Sequence, residues 1–166
     1  MHHIRPARPD DLAKIVEMFA PVIRAGETYA LDRDLTDADL FAYWSAPEKV
    51  VHVCMLDGEV AGASYLRPNQ GGGGRHVANA GFVTASRFSG RGVARALCKH
   101  ALDAARNLGY RAMQFNFVVA SNTRAIAVWE SFGFATLARL PAAFHHPTRG
   151  FVDALVMFKE LAGPAR

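Results

Sequence analysis

Residues 89–110, "SGRGVARALCKHALDAARNLGY", set Gly90 and Gly92 beside Arg91 and Arg95 directly ahead of a helical pattern. Backbone amides at a helix start have no acceptor inside the helix and lie at the positive end of its dipole. An anion there gains charge-assisted hydrogen bonds. Glycines let that anion approach the backbone closely. The chemistry expected of Gly90, Arg91, Gly92, Val93, Ala94 and Arg95 is therefore phosphate holding, against the plainer alternative of a helix cap without a ligand. Two phosphate-loop patterns do not fit. A nucleoside-triphosphate loop needs Lys then Ser or Thr after its last glycine, where this chain has Val93 and Ala94. The dinucleotide fingerprint needs a third glycine and a parallel unit opening the fold.

A second group of residues looks misplaced on packing grounds. Asn79 in "HVANAGF" and Asn116 in "QFNFVV" interrupt apolar runs, and a buried amide costs free energy unless paired. Either a bulge or a buried water satisfies them, or they converge on a small polar ligand. The stretch "AGETYALD" is the expected acceptor-side loop, with Glu27, Thr28 and Tyr29 available. Glu27 reads as a partner for an ammonium, as an activator of water, or as a solvated loop carboxylate. His145 and His146, beside Pro147, read as exposed loop residues rather than ligands or a base. Cys54 and Cys98 lie in apolar runs without metal-ligand spacing and read as small buried thiols; no metal is expected.

Positioning these groups requires a particular order of elements. A short strand in "HHIRPA" leads to a helix with Asp10 as cap and Gly26 as stop, then to a second helix capped by Thr36 with Asp39 three residues on. "VVHVCML" and "VAGASYLRP" flank an Asp-Gly pair and predict a hairpin. Four consecutive glycines in "NQGGGGR" predict a mobile loop. "HVANAGFVT" is a strand entering the glycine turn, after which Val93, Leu97, Ala101, Ala105 and Leu108 form the apolar stripe of a helix ended by Gly109. "RAMQFNFVV" predicts a buried strand, "SNTRAIAVWESFGF" a capped helix ending at Gly133, and "FVDALVMFKEL" a last strand. The pattern predicts an α/β protein with a mixed sheet and helices on both faces.

The chain has 166 residues, 51% of them hydrophobic, which suits one domain over residues 1–166 with a substantial core. A net charge of +4 spread along the chain does not demand nucleic acid; a small anionic ligand suffices. No apolar run is long enough to cross a bilayer and no secretory signal opens the sequence, so no membrane partner and a cytoplasmic location are expected.

From Ala80 to Phe134 the order strand, glycine turn, long helix, strand, Asn-capped helix and final "GF" resembles the Gcn5-related N-acetyltransferase (GNAT) superfamily, on Gly92, Ala94, Asn122, Gly133 and Phe134. The resemblance implies acetyl-coenzyme A as cosubstrate, bound at the glycine turn. It further implies that Phe82, Val83 and Thr84 pair their backbone with its pantetheine arm, with one amide polarising the thioester carbonyl, and that Asn122 holds the arm. An N–H aimed at charge developing on that oxygen favours the transition state over the ground state. Ser89 departs from the usual Arg or Gln, which Arg91 or Arg95 would replace. Trp129 stands where many members carry a tyrosine that protonates the departing thiolate.

"HVANAGFV", "GYRAMQFNFVVASNTRAIAVWESFGF" and "GFVDALVMF" are similar to the yeast proline-analogue acetyltransferases, which also carry tryptophan there and asparagines at Asn79, Asn116 and Asn122. That implies a detoxifying enzyme acting on a small cyclic imino acid such as azetidine-2-carboxylate, with Asn79 and Asn116 near the substrate, and a possible homodimer through the last strands. A phosphinothricin- or methionine-sulfone-type acceptor, or a non-catalytic acyl-coenzyme A sensor, are the alternatives.

Overall fold

Asp10 occupies the N-cap position of the first helix, but the side chain that secures the helix start is that of Asp11, the first helical residue. In the computed structural model, which describes residues 1–161, the Asp11 carboxylate accepts from the Arg8 amide at 2.6 Å and from both Nη atoms of Arg5 at 2.6 and 2.9 Å. Asp10 is itself helical in backbone conformation and makes no capping bond. The Arg5 guanidinium holds the Asp11 carboxyl below the usual carboxylate range. This pair ties β1 (His3–Pro6) to α1 (Asp11–Ala25), which ends at a left-handed Gly26. Thr36 and Asp39 form the expected capping box on α2 (Asp37–Trp44). β2 (Val50–Leu56) and β3 (Glu59–Pro68) make the hairpin, with Asp57 and Gly58 at φ 53° and 82°, the two positive values its tight turn requires.

The remaining elements are β4 (Val77–Thr84), α3 (Val93–Asn107), β5 (Ala112–Val119), α4 (Thr123–Ser131), β6 (Ala135–His146) and β7 (Gly150–Glu160). Two expectations change. The glycine run contains one 3-10 turn, Gly72–Gly74, and Leu108 is exposed beyond the end of α3 instead of joining its buried stripe. β6 is absent from the sequence pattern because its register shifts twice, around Thr136/Ala138 and Leu140/Phe144, and because it carries Pro141. An edge strand tolerates both. Asp153 on β7 repairs the second irregularity, accepting from the Ala142 amide at 2.9 Å and from Arg139 at 2.7 Å.

All seven strands form one mixed sheet, ordered β1-β2-β3-β4-β5-β7-β6, in which only β4 and β5 run parallel. Alternation along β3 assigns its two faces. Ala63 and Tyr65 pack with Ile15 and Phe19 of α1 and Leu40 and Trp44 of α2. Gly62 faces α3 so closely that a Cβ there would meet Val83 O and Val93 Cγ1 at 2.7 Å. α3 and α4 cover that second face with Leu97, Leu102 and Trp129 over Leu66, Met113 and Phe115. Cys54 and Cys98 are free and fully buried, and burial pushes the Cys98 thiol up to about 12. Among the described residues no helix is long and apolar enough to cross a membrane.

His52 on β2 and His100 on α3 meet with ring centroids 4.5 Å apart, and the buried His100 Nδ1 has no hydrogen-bond partner. Burial holds both imidazoles below their ordinary pKa; the charge of His100 adds to this at His52, while at His100 Asp103 opposes it and Lys99 reinforces it. The unfolded chain, with histidine pKa of about 6.5, then binds protons more readily than the folded one, so stability is full above that value and declines as pH falls below it. Thermal melts are expected to show a lower melting temperature at pH about 5 than at about 7.5, and a His52→Leu/His100→Leu double variant to flatten that dependence. Gly62→Ala is expected to cost about 1–3 kcal/mol through overpacking against α3 and the Val83 carbonyl, read as a lower midpoint in urea.

Candidate active site

The parallel pairing of β4 with β5 lasts for two residue pairs, Val77 with Ala112 and Ala78 with Met113. Beyond them the strands part, and β5 is bulged between Phe115 and Val118 where it runs along β7. The bonds Asn69 N–H to Val77 O and Ala85 N–H to Ala61 O, at the two ends of β4, fix which backbone groups face which neighbour. Odd-numbered residues of β4, Val83 included, turn theirs to β3; Ala80, Phe82 and Thr84 turn theirs toward β5, where no strand meets them. Of the three residues expected to pair with a ligand, Phe82 and Thr84 thus line the open edge, while Val83 is engaged with β3 and its side chain is buried.

Tyr29, from the loop after α1, enters this edge. Its hydroxyl donates to Phe82 O at 2.6 Å and accepts from Phe82 N–H at 3.2 Å, as a neighbouring strand would. Burial drives the phenol pKa far above its ordinary value, with the nearby Tyr65 adding to the rise, so Tyr29 stays protonated and is no base. A cleft of about 370 Å³ lies beside it, lined by Tyr29, Leu31, Asp34, Phe144 and His145. Glu27 is exposed on the same loop and is not in the cleft wall. His145 stacks on Phe151, whereas His146 is buried rather than exposed and accepts from the Thr148 amide.

The two asparagines belong to one polar network. Asn79 is buried, donates to Gln114 O at 3.0 Å and accepts from Arg67 Nε at 3.4 Å. Asn116, expected to be buried, is exposed at the β5 bulge; it donates to Asn69 Oδ1 at 2.6 Å and accepts from Gln114 Nε2 at 2.9 Å. Gln114 and Asn116 share a face by their spacing of two, a signal present in the sequence. Arg67 and Asn69 carry no such signal: their places follow from the β3–β4 register, which sets Arg67 opposite Asn79.

At the glycine turn, Gly90 and Gly92 have φ of 78° and 80°, and the space where a Gly90 side chain would lie is open to 4 Å. α3 has no side-chain cap, and its first bond is Ala96 N–H to Gly92 O, which leaves the amides of Val93, Ala94 and Arg95 without intrahelical acceptors. Arg91 is paired with Asp57 at 2.8 Å, and Arg95 donates to Ser131 Oγ at 2.9 Å. Arg124, which the sequence pattern does not single out, reaches across from α4 to Ser89 Oγ at 3.2 Å. Asn122 caps α4 through the Ala125 amide at 3.4 Å. Trp129 packs its ring 4.8 Å from Phe82 and 5.0 Å from Phe115. Bare amides and arginines at one end and an unpartnered strand edge at the other suit a ligand with a phosphate group and an extended, amide-bearing arm. Among the described residues no group of three or more His, Cys, Asp or Glu side chains is placed to hold a metal.

The sequence profile of the acetyltransferase (GNAT) family matches residues 15–134. N-acetyltransferase aca1 of Schizosaccharomyces pombe is 26% identical over 151 residues, covering 81% of this chain and 72% of that protein. A GCN5-related N-acetyltransferase from Kribbella flavida superposes with a TM-score of 0.92 at 43% identity, over 96% of this chain and 98% of its own. The same fold, at 19% identity and a TM-score of 0.87 over 99% of this chain and 91% of the other, is found in a phosphinothricin acetyltransferase from Sinorhizobium meliloti solved in complex with acetyl-CoA. With a forked sheet, an uncapped glycine turn and a profile match over most of its length, this chain belongs to the GNAT family of N-acetyltransferases.

Proposed function

We propose that the protein, acting as one domain, moves an acetyl group from acetyl-CoA to the nitrogen of a small amino or imino acid, with a cyclic imino acid such as azetidine-2-carboxylate as the acceptor. The observation that carries this reading is the Asn79–Gln114–Asn116 network at the mouth of the fork, beside the open edge of β4. Neutral amides there orient a small polar molecule by hydrogen bonds and leave its nitrogen free of a competing ion pair. A ring has fewer torsions to lose on binding than an open chain, so its nitrogen is aimed at less entropic cost.

Acetyl-CoA supplies an activated acyl group on a thiol leaving group. The chain would hold it through the amides of residues 92–95, with Arg95 and Arg124 flanking, and through the β5-facing backbone groups of Ala80, Phe82 and Thr84. Of these, the Phe82 amide is already bound to the Tyr29 hydroxyl, so Tyr29 would share this edge with the arm, and its hydroxyl would have to shift or bridge. Trp129 has no acidic proton to donate; it fills the space between Phe82 and Phe115 and shapes the wall of the fork. The protonated Tyr29 is no base either, so the acceptor ammonium, with a pKa near 10, loses its proton to water.

Gly90→Val is expected to weaken acetyl-CoA binding ten-fold or more in calorimetry while the circular dichroism spectrum is retained, because a branched side chain fills the open space beside the turn and strains a positive φ. Asn79→Ala and Asn116→Ala are each expected to lower kcat/KM for azetidine-2-carboxylate ten-fold or more, equivalent to about 1.4 kcal/mol of transition-state stabilisation, with little change in acetyl-CoA affinity. A thiol-release screen in which amines are acetylated but no imino or amino acid is turned over would overturn the acceptor assignment.

A further inference from the structure

On the face of the sheet covered by α1 and α2, beside Asn79, lie two cations that the reaction as described does not use. Arg67 is half-buried on β3 and spends one weak bond, 3.4 Å, on Asn79 Oδ1. Lys49 is half-buried just before β2, donates to the Tyr43 carbonyl, and stands 3.3 Å and 4.4 Å from the ring centroids of Tyr43 and Tyr65. Those two rings are fixed by a 2.8 Å bond between their hydroxyls, and the Tyr65 ring lies directly over Gly81, two residues from Asn79. Burial, followed by the charge of Arg67, pulls the Lys49 ammonium down to about 8. Both cations are partly desolvated. Neither takes part in an ion pair among the described residues, whereas Arg5, Arg87, Arg91 and Arg139 each have a carboxylate within 4 Å. The carboxylate that acts on Lys49 among them is its exposed neighbour Glu48.

A guanidinium beside Asn79 and an ammonium held against two tyrosine rings, neither in an ion pair among the described residues, are arranged for an anion that arrives with a ligand. Arg67 and Asn79 share one side of the sheet with α1 and α2, while the glycine turn opens α3 on the other, so the phosphates of acetyl-CoA are not that anion. Resting on the amino- or imino-acid reading above, we infer that Arg67, supported by Lys49, binds the carboxylate of the acceptor and thereby makes the enzyme selective for amines that carry one. The guanidinium fork matches a carboxylate in two parallel hydrogen bonds, and its Nε already anchors it to Asn79. The acceptor is then held at two kinds of contact: its charge by Arg67, with Lys49 supporting from behind, and its ring and nitrogen by the amides of Asn79 and Asn116. Arg67 is a binding residue and Lys49 a positioning one; neither has a part in bond making.

The measurement is the ratio of kcat/KM for azetidine-2-carboxylate to that for its methyl ester. Arg67→Gln is expected to reduce the ratio ten-fold or more, chiefly through KM for the acid. Lys49→Met should reduce it less, and Arg67→Lys should restore part of the loss. Calorimetry without acetyl-CoA should show binding of azetidine-2-carboxylate weakened ten-fold or more by Arg67→Gln, with acetyl-CoA affinity unchanged. An unchanged ratio in both Arg67→Gln and Lys49→Met sinks the inference and leaves the imino-acid reading standing. Weakened acetyl-CoA binding at an unchanged ratio does the same. If wild-type protein turns over the ester and never the acid, both readings fall together. Should Arg67→Gln not fold, Arg67→Lys and Lys49→Met still decide the matter, because a purely structural residue would not alter the ratio.

Discussion

The Asn79 side chain donates to the Gln114 carbonyl at the point where the backbone pairing of β4 and β5 stops. A parallel ladder that continued would bury every backbone group of both strands and leave nowhere for a ligand. Here a side-chain amide takes the carbonyl that the next residue of β4 would have taken. The sheet therefore stays closed on the core side of the fork and opens beyond it without leaving Gln114 unsatisfied. The rest of the architecture depends on that opening. β7 holds the far side of β5 on both sides of its bulge, and β3 holds the far side of β4 for its whole length. The two walls of the fork are thus each secured from behind, and neither needs the other.

Much of this is legible in the sequence alone. Helical spacing, the Thr36 capping box and the Asp57-Gly58 turn are local signals, and local signals carry because neighbouring residues decide them. Gly90 and Gly92 were legible for the same reason, since a helix start needs no distant partner to present its amides. What was not legible required knowledge of register. Nothing near Arg67 says that it faces Asn79, and nothing near Arg124 says that α4 brings it to Ser89. The apolar run around Asn116 suggests burial, yet the bulge turns it outward. β6 escaped because its pattern is broken by shifts that Asp153, on another strand, compensates. Asp10 stands at the cap position its place in the sequence suggests, but that the securing bonds are made by Asp11 follows only from the pairing with Arg5 on another element.

The two faces of the sheet divide the work. One face offers main-chain amides and arginines at an uncapped helix, where geometry matters more than side-chain identity. The other offers a packed group of rings, Phe19, Tyr29, Tyr43, Trp44 and Tyr65, each within 5.0–6.3 Å of another by centroid. Rings so packed have few alternative positions, which keeps the Lys49 ammonium against Tyr43 and Tyr65. On the function proposed above, the fold would keep a generic surface for the acyl donor separate from a rigid, individual one for the acceptor, and changes of acceptor would accumulate on the second without loosening the first.

The buried cysteines bear on how such an enzyme can be followed. Acyl transfer from a thioester liberates a thiol, and thiol-specific reagents detect it by reacting with thiolate. Cys54 and Cys98 are shielded from solvent, and burial raises both of their pKa values, so while the chain is folded its own sulfur is nearly silent toward such reagents. The colour that develops during turnover then reports the released cosubstrate alone, and a slow extra signal of up to two thiols per chain marks unfolding instead of chemistry.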